Sequence, residues 1–381
     1  MTERAAHSLL TSSPLPTARG AAIPPGMNRL QPPITFQRAV ARWLLVCALM
    51  VALMVAVGGV TRLTESGLSI VKWNLISGTL PPLSDEAWQH EFDDYKSSPQ
   101  FQKVNSDFTV ADFQKIFWLE YIHRLIGRAI GLATFLPLLY FAARRALPRA
   151  LLLRCAAIFL LIGAQGTVGW IMVASGLVDQ PRVAPVKLAA HLLLAFSVFA
   201  LMLWTRWQVL GIERSNLGAC VATDSHSPRL PLLTRTALAF LTLQIFFGAL
   251  VAGLRAGKTY NTWPLMDGRL VPTGLHTLDP WWLNHLENIT TVQFQHRMLA
   301  MLVVAVIVVT IVMGWRHKNL HQLLRVILIS ILLQFTLGVA TLLSVVNIAL
   351  ASAHQLVALF LVAVLLRLVY ATPLPPNPQR K

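Results

Sequence analysis

Trp118-Leu-Glu-Tyr-Ile-His-Arg-Leu-Ile-Gly-Arg128 sets a glutamate and a histidine, Glu120 and His123, just before an apolar run over residues 129–142. A helix through this stretch places both side chains on one face, where a membrane span meets water. A second copy stands downstream, Thr291-Val-Gln-Phe-Gln-His-Arg-Met-Leu-Ala300, with His296-Arg297 repeated and Gln293 in the place of Glu120. Two further histidines, His191 and His354, open two other apolar runs. The spacing therefore predicts four histidines at four helix starts.

Hydrophobic residues make up 55% of the chain and charged residues 13%, too apolar for a soluble domain of 381 residues. Eight runs approach the ~20 apolar residues that cross a bilayer. They cover about residues 43–60, 121–142, 151–174, 188–204, 236–253, 294–313, 326–345 and 348–369. The net charge of +16 fits cationic cytoplasmic loops. No zinc-finger spacing or soluble basic domain is present, so nucleic-acid binding is not expected. Residues 1–38, rich in Pro, Ser and Ala, read as a disordered cytoplasmic tail. They lack the apolar core of a secretory signal, and Glu3 with several prolines argues against an organellar targeting peptide.

Arginine and lysine collect after the second, fourth and sixth runs and at both ends. The first connection instead holds Asp85, Glu86, Glu91, Asp93, Asp94, Asp107 and Asp112. The positive-inside bias then puts both termini in the cytoplasm and the two long loops outside. All even spans start on the outer side, so His123, His191, His296 and His354 share one depth.

An internal repeat is legible. Gly59-Val-Thr-Arg62 followed by Trp73 echoes Gly253-Leu-Arg255 followed by Trp263, and Gln165-Gly-Thr-Val-Gly169 echoes Gln334-Phe-Thr-Leu-Gly338. The expected fold is an all-α integral membrane protein of eight transmembrane helices, arranged as two parallel-repeat four-helix bundles. Its parts are a tail to residue 38, an N-terminal half over 39–206, a cytoplasmic linker over 207–235, a C-terminal half over 236–370 and a cytoplasmic tail over 371–381.

Ionisable groups inside a membrane default to a functional reading, and four at matched positions strengthen it. Two imidazoles on facing helices can hold a haem iron from both sides. A zinc or copper site wants further ligands, which are scarce in these spans. A di-iron carboxylate bundle needs two Glu-x-x-His motifs, and this chain offers one. Arg62, Arg124, Arg255 and Arg297 lie near the same level, either snorkelling to headgroups or pairing with propionates. Gly163, Gly166, Gly169, Gly248, Gly253 and Gly338 allow close helix packing or make room for a flat macrocycle. Glu120 suits a helix N-terminus or a site carboxylate. Cys47 and Cys155 fall in spans and Cys220 in an inner loop, so no outer disulfide is expected.

Glu120-Tyr-Ile-His123-Arg124, His191, Gln295-His296-Arg297 and Ala353-His354-Gln355, on eight spans in two halves, resemble the haem A synthase family. Gly58-Gly-Val-Thr-Arg-Leu-Thr-Glu-Ser-Gly-Leu-Ser-Ile-Val-Lys-Trp73 resembles its proteobacterial and mitochondrial branch. The resemblance covers about residues 42–369. It implies oxidation of the C8 methyl of haem O to the formyl group of haem A, by two hydroxylations and loss of water from a gem-diol. The haem A would supply cytochrome oxidase. It places the chain in the bacterial inner membrane, with the mitochondrial inner membrane as the alternative. Haem O synthase is the implied supplier and the electron donor is unidentified. The outer-loop cysteine pair of some members is missing here, so no redox role of that pair applies.

The asymmetry between Glu120 and Gln293 then divides the work. His123, His191 and Glu120 are expected to hold and act on haem O, and His296 and His354 to ligate a resident haem B. The arginines at 62, 124, 255 and 297 are expected on propionates. A dihaem electron-transfer protein is the alternative, though an electron wire needs no carboxylate beside one iron. A transporter calls for broken mid-membrane helices, which are not seen. The sequence leaves the oligomeric state, a homo-oligomer included, open.

Overall fold

The computed structural model describes residues 30–73, 77–178, 181–211 and 229–374. The parts of the tails and linker beyond those ranges, with Cys220, lie outside the described residues. Among the described residues there is no strand beyond an isolated bridge between Met266 and Arg269.

The helices are α1 (Ile34–Leu63), α2 (Asp85–Lys96), α3 (Pro99–Lys103), α4 (Val110–Ala143), α5 (Arg149–Gly176), α6 (Pro185–Val209), α7 (Leu230–Gly253), α8 (Asn284–Glu287), α9 (Ile289–Gly314), α10 (His321–Leu343) and α11 (Ile348–Ala371). Among the described residues, eight of these are long and apolar enough to cross a membrane: α1, α4, α5, α6, α7, α9, α10 and α11. The expected all-α membrane protein is observed.

Two boundaries differ from the sequence reading. The first outer connection, expected as a polar loop, folds into α2, α3 and the beginning of α4. α4 starts at a capping box in which Thr109 and Asp112 satisfy each other's backbone N–H. At 34 residues it is about 51 Å long, well beyond the ~30 Å apolar core of a bilayer. Its first turns carry Phe113 and Phe117, which pack with Trp88, Phe92 and Tyr95 of α2 in an aromatic cluster. His123 is consequently more than three turns inside α4, not at its start. His191, His296 and His354 lie within two turns of the starts of α6, α9 and α11.

Helix contacts close two rings. In one, α1 touches α4, α4 touches α5, α5 touches α6, and α6 touches α1. In the other, α7 touches α9, α9 touches α10, α10 touches α11, and α11 touches α7. The rings meet along α1, α6, α7 and α11. α6 is the most buried of the eight spans, whereas α5 and α10 are the least buried. The seam carries the main apolar core, including Leu44, Ala48, Met202, Leu361 and Leu365.

One end of the molecule is marked by polar links between helix ends. Gln37 donates to Val209 O at 2.8 Å, Arg154 bonds Gln208, and Thr234 meets Thr372 at 3.1 Å. The starts of α1, α5 and α7 thus share a level with the ends of α6 and α11. Cys47 and Cys155 are buried free thiols within α1 and α5.

Candidate functional site

All four histidines are half-buried, and each ring lies against a glycine on the helix that precedes its own span. A Cβ placed on Gly169 would come within 2.9 Å of His191 Cε1, and one on Gly338 within 2.9 Å of His354 Cε1. On Gly248 it would meet His296 Cε1 at 3.1 Å. On Gly58 it would meet His123 at 3.1 Å, through Nε2 instead of Cε1. A real Cβ does not tolerate contacts near 3 Å, so these positions need glycine for the ring to approach. Within the first ring of helices His123 is in electrostatic reach of His191. Within the second, His296 is in reach of His354. His123 thus lies near His191, and His296 near His354.

Glu120 and Arg124 bond the segment that follows α1. Glu120 is 2% exposed. One carboxylate oxygen accepts from Ser69 N at 2.7 Å, Ser69 Oγ at 2.8 Å and Ile70 N at 3.0 Å. The other accepts from Arg124 Nε at 3.1 Å and Nη2 at 2.7 Å. Arg124 also donates to Ile70 O at 2.9 Å and Lys72 O at 3.3 Å, and stacks over Trp73 at 4.9 Å.

The second half repeats this staple in register. Ser69 and Trp73 follow Gly58 by as many residues as Thr259 and Trp263 follow Gly248. Arg297 donates to Tyr260 O at 2.5 Å and Thr262 O at 2.9 Å, with Trp263 at 5.9 Å. Gln293 donates to Thr259 O at 2.7 Å. Glutamate and glutamine therefore hold equivalent loops with opposite polarity, one as acceptor and one as donor.

Arg62 and Arg255 sit on the seam. Arg62 donates to Ala252 O at 2.6 Å and Gly253 O at 3.1 Å. Arg255 pairs with Glu65 at 2.8 Å. Counted from Gly58 and Gly248, the partner of Arg255 in the repeat is Glu65 and not Arg62, whose place falls to Ala252, so the echo of Arg62 by Arg255 does not hold and equivalent residues of the two halves bond each other. Both adopt left-handed backbone, φ 60° at Glu65 and 55° at Arg255, a conformation that non-glycine residues hold only where the surroundings enforce it. Gln355, next to His354, crosses the same seam to Val55 O at 3.1 Å, and a Cβ on Gly59 would collide with it.

Sequence reasoning missed Gln244, and named Gln355 only as part of the motif around His354. Gln244 lies four residues before Gly248, as Gln165 and Gln334 lie before Gly169 and Gly338. That spacing was a signal available in the sequence, because residues four apart share a helix face.

The COX15-CtaA family model, described as cytochrome oxidase assembly protein, matches residues 41–366. Among curated relatives, the chain is similar to the heme A synthase of Nitrosospira multiformis, 45% identical over 329 residues, covering 85% of this chain and 91% of that protein. The heme A synthase of Paramagnetospirillum magneticum is 45% identical over 86% of this chain and 92% of its own length. That of Rhodopseudomonas palustris is 46% identical over 84% and 87%.

Proposed function

The chain belongs to the COX15-CtaA family of cytochrome oxidase assembly proteins, and from that premise we propose how its two halves divide the work of a haem A synthase. The protein is an oxidoreductase of heme biosynthesis that acts on haem O and yields haem A. The observation that carries this is the 45% identity to heme A synthase across 91% of that relative. It is a membrane protein; its bacterial relatives support a place in the bacterial inner membrane, and the loop charges support both termini in the cytoplasm.

The residues fit porphyrin ligands. Each histidine pair offers two imidazoles across one ring of helices, and the glycines keep Cβ atoms out of the space beside them. His191 Nδ1 is buried without a hydrogen-bond partner, and so are Nε of Arg62 and Nε of Arg297. Unmatched guanidinium donors suit carboxylates such as propionates. Arg62 and Arg297 are accordingly the better propionate partners of the four expected arginines, because Arg124 and Arg255 are already paired with Glu120 and Glu65.

His123 and His191 would hold the iron of haem O, and His296 and His354 that of a resident haem B. Haem B, when bound, supplies one-electron redox chemistry. Glu120, one turn from His123, already accepts five hydrogen bonds. It therefore serves as a fixed negative charge and not as a free proton acceptor, favouring the positive charge that develops when a ring methyl is oxidised. Arg124 pairs with that carboxylate and ties it to the 69–73 segment. Electrons come from an unidentified donor, and haem O from haem O synthase.

Pigments extracted from purified protein test the division. Wild-type protein should yield haem B together with haem O or haem A. His296→Ala or His354→Ala should lose haem B, and His123→Ala or His191→Ala should keep it while making no haem A. Unchanged haem B in the first pair would overturn the assignment, and haem B alone in wild-type protein would favour a dihaem electron carrier.

A further inference from the structure

One turn before each cradling glycine stands a residue that faces the histidine's helix. It is glutamine at 165, 244 and 334, and methionine at 54. Gln165 donates to His191 O at 3.0 Å. Gln244 donates to His296 O at 3.1 Å and lies 3.0 Å from His296 Nδ1. Gln334 takes the His354 Nδ1 proton on its backbone carbonyl at 3.1 Å and sets its amide 3.4 Å from Nε2. The amide oxygens of all three are buried and have no partner. Beside Gln165, His191 Nδ1 is likewise buried and without a partner.

These orphans complement the ligand chemistry. An imidazole that gives Nε2 to iron carries its proton on Nδ1, and the acceptor of that proton fixes the ring's angle and basicity. At His354 that acceptor is the Gln334 backbone carbonyl, and at His296 the Gln244 amide lies beside Nδ1, where its oxygen serves once the amide is turned over. Met54 offers no such oxygen. The ring it neighbours also lies differently, since His123 turns Nε2 and Cδ2 to its glycine while the other three turn Cε1 and Nδ1.

We propose that Gln165, Gln244 and Gln334 are positioning residues that orient three of the four iron-ligating imidazoles, and that Met54 leaves His123 unheld so that the first half exchanges its porphyrin. A synthase must release its product and retain its cofactor. One loosely held ligand in the substrate half and two firmly held ligands in the other half produce that difference.

The inference rests on the histidine pairs being iron ligands, and the experiment separates the two. Purified protein carrying its haems is mixed with excess apomyoglobin, and transfer of pigment is followed by absorbance. Two phases are expected. His123→Ala should abolish the fast one and His296→Ala the slow one. Met54→Gln should slow the fast phase roughly 10–100-fold, the usual range for a partner of a metal ligand. Gln244→Leu should accelerate the slow phase and raise the midpoint potential of the resident haem. Gln244→Glu, which keeps an acceptor and adds charge, should lower that potential. A merely structural role would not move the two potentials in opposite directions. If both histidine variants keep both phases, the ligand reading itself fails. If those variants behave as stated but Met54→Gln leaves the fast phase unchanged, or the Gln244 variants shift the potential the same way or not at all, the glutamine assignment is overturned.

Discussion

Ser69 and Ile70 aim two backbone N–H groups at one oxygen of Glu120, and Arg124 fills the other. An amide in place of that carboxylate keeps one acceptor and turns a donor towards donors. Leaving such buried groups unsatisfied costs about 1–3 kcal/mol, within reach of a folded protein. Glu120→Gln should therefore insert, keep haem B and stop making haem A, with haem O or its hydroxylated product accumulating in the extracted pigments. Normal haem A output would refute a role for the charge, and loss of every haem would show that the outer segment needs it to fold. The glycines give a sharper contrast. From sequence, six of them shared one reading, close packing or room for a macrocycle. The structure divides them by what a Cβ would touch, a long-range property that composition does not encode. Gly169, Gly248 and Gly338 lie under histidines, Gly253 lies against Pro185, and Gly163 and Gly166 meet nothing within 4 Å. Gly338→Ala should lower the ratio of haem B to protein in the purified sample, despite the ~1 kcal/mol that alanine gains over glycine in a helix. Gly166→Ala, placed as a control, should leave the ratio unchanged.

At the level of elements, the eight spans were legible because apolar runs of this length have few other uses. The head of α4 was not. Asp107, Asp112 and Lys115 made it read as a loop, and the smaller signal was overlooked. Phe113, Phe117 and Tyr121 recur every four residues and share one face with the aromatics of α2. Charged residues on the opposite, solvated face do not interrupt such a helix. The consequence for the site is direct, since a helix running through residue 120 fixes Glu120 and His123 on a rigid rod. Phe113 is fully buried, stacked on Tyr95 at 5.1 Å. Phe113→Ala should destabilise the protein by about 3–5 kcal/mol, read as a lowered midpoint in thermal unfolding of the detergent-purified enzyme. Haem B at His296 and His354, on the other ring, should be lost later in that transition than the ability to make haem A.

For the whole molecule, the pairing of His123 with His191 and of His296 with His354 was readable from an approximate repeat, because four helices return the chain to its starting side. The contacts along the seam were not readable, since they join residues about half the chain apart. From the loop charges, the α1–α4 connection and the α6–α7 connection are expected on opposite sides of the membrane. Reporter fusions at residues 90 and 220 should give opposite signals, and the same signal from both would undo the common depth of the histidines. The seam itself joins Arg62 to the carbonyls of Ala252 and Gly253, and Glu65 to Arg255. During synthesis the end of α1 leaves the ribosome some 190 residues before those partners do. Until α7 is inserted, Arg62 lacks the carbonyls and Glu65 the guanidinium that hold them in the finished protein. A chain that stops before α7 keeps both groups without those partners, so the lock between the halves closes only when more than half of the sequence has been made.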